Sequence, residues 1–457
     1  MSAIILLSVL GVVLLYLGLG KNNKRFLAPA GMLGLAGVIA LTILDRRPLP
    51  AWAGGAVAFD DLSIAFSAGM AAITLLIFLF GSDYYARMEQ NVAEQYALLI
   101  FSLCGAFLLT SYQNLLMLFL GIEVLSIPLY ILAGGKKRSY RSSEASFKYF
   151  LLGSFATAFL LMGIALVYGV SGSFDLVTIG AYADAHAGQQ DMLFLIGLFF
   201  VTVGLGFKVA AVPFHFWSPD VYEGAPTLVT AFMSTVVKMG SFAAVYRLIG
   251  VHITALPPAL ERTLWVMTFL TLIVGNLVAL RQSQFKRLMA YSSIAHSGFL
   301  LLAVLSHHAM AGRAIFYYTF TYSLATVGLF VILTLAKRAA NGDENIRIFR
   351  GLFRTKPWLA ITALVMLLSL AGIPPTAGFL AKYQVFFMAV DMGYVKTTLF
   401  AVAMAVIGIY YYLIVIREAF TPNDEGPVVQ LNTTNAVVIV VCGVGVLGLG
   451  LWPMGLL

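Results

Sequence analysis

The sequence has few charged residues and almost no cysteine. Only 11% of its 457 residues are Asp, Glu, Lys or Arg, whereas soluble domains contain about 25%. The two cysteines, Cys104 and Cys442, lie in apolar stretches far apart in the chain, so they predict neither a disulfide framework nor a metal site. The CxxC, HExxH, GxGxxG and GxxxxGK(S/T) patterns are also missing. These absences argue against a nucleotide, haem, iron–sulfur centre or metal held by this chain.

Apolar residues dominate what remains. They make up 61% of the chain, and the mean hydropathy is +0.93, which indicates an integral membrane protein rather than two or three soluble domains. Fourteen apolar segments are long enough, at about twenty residues each, to cross a bilayer as helices. They are residues 2–20, 27–45, 61–82, 93–111, 113–134, 145–170, 191–212, 226–249, 262–280, 287–306, 313–336, 357–384, 396–418 and 434–455. We therefore expect an all-α polytopic membrane protein with about 14 transmembrane helices.

The basic residues are unevenly divided between the loops. Loops after odd-numbered segments hold eighteen Lys and Arg, and loops after even-numbered segments hold six. Cytoplasmic loops are enriched in Lys and Arg, so both termini are expected on the non-cytoplasmic side. The net charge of +8 is thus a topology signal and predicts no nucleic-acid partner. Four lysines remain inside apolar segments, and lysine, unlike arginine, can release its proton when buried. They are Lys148, Lys208, Lys238 and Lys382.

The stretch 205–238 is the most unusual in the chain. It begins as an apolar helix that carries Lys208, breaks at Pro213, and continues into a second apolar helix that carries Lys238. Each buried charge and each carbonyl freed by the break must find a partner inside the membrane. Such groups are rarely kept in a membrane unless ions move past them. This stretch therefore predicts the core of a proton path.

A second break is predicted within segment 357–384. Its Pro374 and Pro375 leave the carbonyls of Leu370 and Ala371 without helical donors. The two broken segments are the seventh and the twelfth, so they cross the membrane in opposite directions. That relation is typical of inverted-topology repeats, here helices 4–8 and helices 9–13. The expected divisions are 1–90 with helices 1–3, 91–250 with the first repeat, 251–420 with the second repeat, and 421–457 with helix 14.

Four charged residues inside apolar segments are candidates for proton transfer. Glu123 is the one carboxylate well inside such a segment, and a lysine partner such as Lys208 would keep it ionised. Lys238 is central in its segment, and Lys382 follows the double proline. Two alternatives stay open. A buried Glu–Lys pair could serve packing alone, and Lys382 could extend its amine to the membrane surface.

Five further polar residues could extend this path. Lys148 follows a basic loop, so it is either a relay member or an interfacial anchor. His215 and His296 lie in or near apolar segments, where an imidazole either transfers protons or only packs. Asp220 and Glu223 follow the first break. We expect these two carboxylates to organise the turn, on the side opposite the basic loops.

Three motifs, in this order and spacing, carry a family resemblance: FKVAAVPFHFWSPDVYEGAPTLVTAFMSTVVK, FKRLMAYSSIAHSGF and LAGIPPTAGFLAKY. With them the chain resembles the antiporter-like proton-translocating subunits of respiratory complex I, which are related to subunits of multi-subunit Na+/H+ (Mrp) antiporters. The resemblance spans about residues 90–420. It implies a membrane-arm subunit of the bacterial inner membrane, with other membrane-arm subunits and lipid around it. It also implies that NADH, FMN, iron–sulfur clusters and quinone are bound by partner subunits, and none by this chain.

The resemblance also implies roles for single residues. A helix-5 glutamate would pair with a helix-7 lysine, a central lysine would pass the proton on, and a helix-12 lysine would serve the second half-channel. The positions that match are Glu123, Lys208, Lys238 and Lys382, with Lys148, His215 and His296 at accompanying polar positions. The expected activity is proton translocation as part of an NADH:quinone oxidoreductase. The alternatives are a subunit of a sodium-driven cation/proton antiporter and a structural membrane scaffold.

Overall fold

The computed structural model describes residues 1–20, 24–45, 54–86, 92–136, 138–186, 191–253, 256–423 and 429–453. Within these ranges the secondary structure is helical and contains no β-strand. The helices are α1 (Ser2–Gly18), α2 (Lys24–Leu44), α3 (Asp61–Ala86), α4 (Val92–Ser111), α5 (Leu115–Ala133), α6 (Tyr140–Ser171), α7 (Leu176–Ala185), α8 (Met192–Lys208), α9 (Trp217–Gly224), α10 (Thr227–Phe232), α11 (Lys238–Val245), α12 (Pro258–Ala279), α13 (Phe285–Leu305), α14 (Ala311–Ala339), α15 (Leu352–Thr355), α16 (Pro357–Ala371), α17 (Ala377–Asp391), α18 (Val395–Phe420) and α19 (Thr433–Leu451). Of the basic residues counted for the orientation, Lys21, Arg46, Arg47, Arg87 and Lys137 lie outside the described residues.

Eleven helical stretches in the described ranges are long and apolar enough to cross a membrane. Four further apolar helices in the described ranges, α1, α7, α8 and α16, are shorter. α1, α6, α18 and α19 direct many large apolar side chains outward, as expected for surfaces that contact lipid. The prediction of an all-α polytopic membrane protein is confirmed at this level.

Short polar side chains begin several of these helices where apolar runs start. The side chain of Asn114 accepts a hydrogen bond from the amide of the third residue after it, at the start of α5. Ser139, Asp175 and Asp191 do the same at the starts of α6, α7 and α8. A helix leaves its first amides without helical acceptors, and these caps supply them. The caps therefore help to set where each helix begins.

Both predicted breaks are present. α8 ends at Lys208 and α9 begins at Trp217, so residues 209–216 interrupt the helix. α16 ends at Ala371 and α17 begins at Ala377, with the double proline between them. Each break removes helical hydrogen bonds inside the protein, and the freed groups need other partners.

Three helical stretches form the centre of the molecule. Thr227–His252, α13 and α14 are almost completely buried, whereas each of the other long apolar helices has a larger share of exposed or partly exposed residues. The first of these contains two π-helical segments, Met233–Val237 and Tyr246–His252. π-helical turns are rare and occur mostly near functional sites. The first π-helical segment ends directly before Lys238.

Candidate functional site

Lys208 lies inside the protein, at the end of α8. The residue is only 6% exposed. Its Nζ lies 5.5 Å from the ring centre of Tyr149 and 5.9 Å from that of Tyr130. Among the described residues, Nζ has no hydrogen-bond partner. Aromatic faces attract a cation more weakly than a carboxylate in contact does. The amine is therefore held in a place that does not commit it to one protonation state.

Glu123, the predicted partner of Lys208, lies in α5 and does not contact it. Its Oε1 accepts a hydrogen bond from the hydroxyl of Thr157 at 2.8 Å. Within the described ranges the carboxylate forms no ion pair within 4.0 Å, although it lies close enough to act electrostatically on Lys208. The expected direct pair is thus corrected to an interaction at longer range. The reason is that the ammonium lies over two tyrosine rings instead.

Lys238 lies in the middle of the buried stretch, at the first residue of α11. Its Nζ donates hydrogen bonds to the backbone carbonyl of Ser293 and, at 3.0 Å, to Oγ of Ser297. It also lies 5.4 Å from the ring centre of Tyr322. All three partners are uncharged. An ammonium and a neutral amine can both donate to such acceptors, so Lys238 can keep these contacts in either protonation state.

The hydroxyl of Ser297 joins Lys238 to the first break. Besides accepting from the lysine, it donates to the backbone carbonyl of Val209 at 2.6 Å. Val209 directly follows Lys208 and closes the end of α8. The backbone of the break and the central lysine therefore share one hydrogen-bonding group.

His215 lies within the first break. The side chain is buried, and its ring centre lies 4.3 Å from that of Phe216. Its Nδ1 has no hydrogen-bond partner in the described part of the chain. The helix that carries Lys208 does not continue past Pro213, so His215 and Lys208 do not share a helix face. The structure does not join His215 to the buried lysines by a hydrogen bond or an ion pair among the described residues.

His296 lies in α13 between two hydroxyl groups. Its Nδ1 is 2.8 Å from the hydroxyl of Tyr318, and its Nε2 is 3.1 Å from the hydroxyl of Tyr412. It also lies close enough to Lys238 and Lys382 to interact electrostatically with both. A neutral imidazole donates from one nitrogen and accepts at the other, so both contacts can be satisfied together. The structure therefore brings His296 into one buried cluster with these two lysines.

Lys382 closes the end of α16 at the second break. Its Nζ donates to the carbonyl of Leu370 at 3.0 Å and to that of Ala371 at 2.8 Å. These are the two carbonyls that the double proline was predicted to leave free. The amine also lies 5.2 Å from the ring centre of Phe299, and the residue is 6% exposed. The alternative of a lysine that reaches the membrane surface is therefore wrong.

Lys148 lies apart from the buried lysines. Its side chain is 38% exposed, and its Nζ forms ion pairs with Glu144 at 2.7 Å and with Asp220 at 2.6 Å. The side chain of Lys148 is therefore partly exposed at the protein surface, which favours an interfacial anchor over a member of the proton relay.

Asp220 and Glu223 do not lie opposite the basic loops, so that expectation is wrong. Arg287, in the first turn of α13, is 2.9 Å from a carboxylate oxygen of each. Arg141, in the first turn of α6, is 3.7 Å from Glu223. The reason is that the seventh apolar segment is odd-numbered, so α9 follows it on the same side as the loops before α6 and α13. The two carboxylates thus neutralise part of the basic side.

Arg247 is a buried charge near the end of the apolar segment 226–249. It is 1% exposed, its Nη2 lies 2.7 Å from both carboxylate oxygens of Asp60, and its Nε donates to the carbonyl of Thr110 at 2.8 Å. Helical structure continues to His252, past the apparent end of the apolar segment. A charge near a segment end does not reveal its burial, and Asp60 lies far away in sequence.

Lys286 is a second buried cation, and it lies just before the apolar segment 287–306 in the sequence. Its Nζ lies 3.2 Å from Glu344 Oε1 and donates to the carbonyl of Ala225 at 2.7 Å, at the end of α9. Glu344 also pairs with Lys337. Burial alone would raise the pKa of the Glu344 carboxyl, but Lys286 and Lys337 act more strongly, and that pKa lies below its ordinary value. This cluster secures the end of α9.

The buried cluster has the chemistry of a proton relay. It presents amines, an imidazole, hydroxyls and backbone carbonyls, which exchange protons or stabilise them. In the described ranges, no group of three or more His, Cys, Asp or Glu side chains is arranged to hold a metal ion.

Comparison with known proteins adds the family. Residues 112–408 match the family described as NADH:quinone oxidoreductase/Mrp antiporter, TM. The NADH-quinone oxidoreductase subunit N of Cytophaga hutchinsonii is 38% identical over 459 residues, which cover 99% of this chain and 98% of that protein. A chain of respiratory complex I from Thermus thermophilus with bound aureothin superposes with a TM-score of 0.85 at 35% identity, over 99% of this chain and 98% of that one. The Mrp complex from Dietzia sp. gives a TM-score of 0.80 at 21% identity, over 98% of this chain and 94% of that one, which shows a shared fold alone.

Details of the motifs also predict the type of subunit within this family. The run DVYEGAPT and a lysine at position 382 resemble subunit N of the bacterial enzyme. A glutamate at that position would resemble the subunit M type, and a long C-terminal amphipathic helix the subunit L type. The Cytophaga relative carries the name subunit N, which confirms the predicted resemblance. The chain belongs to the NADH:quinone oxidoreductase/Mrp antiporter family of membrane subunits.

Proposed function

We propose that this chain translocates protons as an antiporter-like subunit in the membrane arm of a bacterial NADH:quinone oxidoreductase. NADH and quinone react in partner subunits, and this chain moves a proton in response. The observation that carries the proposal is the buried cluster of Lys208, Lys238, His296 and Lys382, with Glu123 acting on its first lysine. Ionisable groups inside a membrane are costly and mark ion pathways.

The proposed fold in the membrane has fourteen crossings. The eleven long helical stretches, α1 and the two broken pairs α8–α9 and α16–α17 together give that number. We also propose two inverted repeats, residues 91–250 and 251–420, flanked by 1–90 and 421–457. The order of elements supports the repeats. The first repeat begins with α4 to α7, and the second begins with α12 to α15; in both, two helices are followed by a long helix and a short helical segment. The broken pair comes next, α8–α9 in the first repeat and α16–α17 in the second.

Local contacts that recur at one spacing support the same proposal. Before α5, Asn114 forms a backbone bridge with Asp175, and before α13, Gln284 forms one with Asn345. The same offset of 170 residues separates Asn114 from Gln284 and Asp175 from Asn345. Inverted repeats preserve such internal contacts while reversing their direction in the membrane.

A close helix contact recurs with that offset as well. A Cβ at Gly105 in α4 would lie 2.2 Å from the backbone nitrogen of Leu125 in α5, and one at Gly275 in α12 would lie 2.4 Å from that of Ala295 in α13. Such approaches between membrane helices require a residue without a side chain. The start of each repeat is therefore packed in the same way.

In the proposed cycle, Lys208 alternates between two surroundings. In one, its amine lies over the two tyrosine rings, as in this structure. In the other it pairs with Glu123, which favours its charged form. A pair at 4 Å is worth about 4 kcal/mol at an effective dielectric constant near 20. Moving one charge against 100 mV requires about 2.3 kcal/mol. One change of pairing is therefore large enough to drive one transfer.

The proton then passes through the centre of the protein. Lys238 receives it beside the first break, and Lys382 exchanges it at the second break. His296 interacts electrostatically with both lysines and carries the proton from one to the other. The neutral partners of the lysines allow each to gain or lose a proton without breaking its contacts. Lys148 and His215 stay outside this central sequence of steps.

The setting that we propose follows from the family and from the loop charges. The chain spans the bacterial inner membrane with both termini on the non-cytoplasmic side. Other antiporter-like membrane-arm subunits are its neighbours, and partner subunits hold the FMN, the iron–sulfur clusters and the sites for NADH and quinone. The name of the Cytophaga relative, a subunit of NADH-quinone oxidoreductase, supports this assignment.

The test is to purify the complex that contains this chain and to reconstitute it in sealed vesicles. We expect NADH oxidation by quinone, accompanied by proton movement that an uncoupler abolishes. A complex that exchanges cations for protons but does not oxidise NADH would identify a stand-alone antiporter and contradict the proposal. Redox activity without proton movement would assign the chain to a structural scaffold.

A further inference from the structure

Three serines of α13 lie near the buried lysines, but their hydroxyl groups have different surroundings. The hydroxyl of Ser293 has no hydrogen-bond partner among the described residues, and that of Ser292 contacts Tyr412. The hydroxyl of Ser297 contacts both Lys238, at 3.0 Å, and the carbonyl of Val209, at 2.6 Å. Ser297 is fully buried. It is thus the serine of this group that connects the central lysine with the broken helix.

A hydroxyl group has one proton to donate and two lone pairs that accept. The short distance to Val209 indicates that Ser297 donates its proton there, whereas its contact with the carbonyl of Ser293 is longer, at 3.2 Å. Toward Lys238 it can then act only as an acceptor. An acceptor in that place favours the ammonium form of the lysine, because hydrogen bonds to charged groups are the stronger ones.

Val209 supplies a carbonyl that belongs to the break itself. It closes the end of α8, directly after Lys208. A shift of the end of α8 that carries Lys208 from its tyrosine rings toward Glu123 also moves this neighbouring carbonyl. The Ser297 hydroxyl would then lose its backbone acceptor and could turn its proton toward Lys238.

We propose that Ser297 is a positioning residue that couples the geometry of the first helix break to the protonation of Lys238. With Val209 in contact, the hydroxyl accepts from the ammonium and holds the proton on Lys238. With Val209 withdrawn, the hydroxyl donates to the amine lone pair and favours the neutral lysine, which has passed its proton on. The hydroxyl keeps its own proton throughout. This inference rests on the proposed function, because it needs Lys238 to carry the transferred proton.

The test compares variants of the full complex reconstituted in vesicles. Ser297→Ala removes the coupling hydroxyl, Ser297→Thr keeps it, and Lys238→Met removes the proton carrier. Ser323→Ala is the matched control, because Ser323 is equally buried and its hydroxyl donates only to the backbone of its own helix, at the carbonyl of Thr319. The readout is the number of protons moved per electron by the assembled complex, and Ser323→Ala shows how far a loss of packing changes that number.

We expect Ser297→Ala to shift the balance between the two states of Lys238 on the order of tenfold. It should therefore reproduce most of the loss seen in Lys238→Met. Ser297→Thr should restore the ratio, and Ser323→Ala should leave it unchanged. If Ser297→Ala does not assemble, Ser297→Cys offers a near-isosteric group that hydrogen-bonds weakly, and a lowered ratio is expected.

Two results would overturn the inference while leaving the proposed function intact. One is a normal ratio in Ser297→Ala or Ser297→Cys beside a lowered ratio in Lys238→Met. The other is an equal loss in Ser297→Ala and Ser323→Ala, which would indicate packing. A normal ratio in Lys238→Met would instead contradict the proposed function itself.

Discussion

The ammonium group of Lys382 donates a hydrogen bond to the carbonyl of Ala371 at 2.8 Å, across the second helix break. A lysine in one half of the broken helix thus closes the end of the other half. The carbonyl end of a helix carries partial negative charge, which favours a cation there. Because these acceptors are neutral groups, the same lysine can also release its proton. The break and the lysine therefore depend on one another.

Two substitutions of Lys382 distinguish its role as a hydrogen-bond donor to the end of α16 from its role in proton transfer. Lys382→Met leaves two buried carbonyls without donors, at about 1–3 kcal/mol each, so the melting temperature of the purified complex should fall. Lys382→Arg keeps the donors but cannot release its proton. We expect it to melt near the native temperature and to move fewer protons per electron. Native proton movement in Lys382→Arg would show that this lysine only caps the helix.

Glu123 should act through its charge rather than through its hydrogen bond. Glu123→Gln keeps an acceptor for Thr157 but removes the charge that acts on Lys208. The pairing that this charge allows is worth about 4 kcal/mol, and each ~1.4 kcal/mol lost is a tenfold change in equilibrium, so proton transfer should slow by about tenfold or more. Thr157→Val keeps the charge and should have a smaller effect. The matched control is Glu94→Gln, because Glu94 is exposed in the first turn of α4. Equal effects of Glu123→Gln and Thr157→Val would assign Glu123 to packing.

Glu344 should stabilise the protein in a pH-dependent way. Its pKa lies below the ordinary value because the attraction of Lys286 and Lys337 exceeds the effect of burial. Because the pKa of Glu344 is lower in the folded protein than in the unfolded chain, its stabilisation is complete above the pKa of the unfolded chain, about 4.3. The stabilisation is lost as the pH falls through the lower pKa of the folded protein. Glu344→Gln leaves two cations without a counter-charge and should destabilise by about 3 kcal/mol near neutral pH.

The measurement is the difference in melting temperature between the native complex and Glu344→Gln as the pH is lowered from neutral. The difference should be constant above pH ~4.3 and should shrink below it. Glu94→Gln should show no such pH dependence. A difference that persists unchanged in acid would mean that Glu344 does not stabilise the protein through its charge.

The breaks and the carbonyls freed at the second one could be predicted from sequence because proline acts locally. Pro374 and Pro375 identify the carbonyls of Leu370 and Ala371 by the geometry of a helix alone. The hydrogen bonds that Lys382 donates to these carbonyls are tertiary contacts, which local sequence does not specify. Its position after the break nevertheless made Lys382 the candidate donor. The same local reasoning placed Lys238 in the centre of a buried helix.

Other parts of the site depend on contacts between distant segments, which sequence patterns do not report. Glu123 and Lys208 are opposite charges in apolar surroundings, yet tyrosines from α5 and α6 receive the ammonium. Arg247 is neutralised by Asp60, which no local pattern connects to it. The role of Ser297 requires knowing that α13 lies against the end of α8.

The central claim is that a proton passes through the buried lysines. The most direct measurement is the number of protons moved per electron by reconstituted complex carrying Lys238→Met, beside Lys396→Met at an exposed lysine. We expect Lys238→Met to assemble, to oxidise NADH and to move fewer protons per electron, while Lys396→Met should match the native ratio. A native ratio in Lys238→Met would contradict the claim.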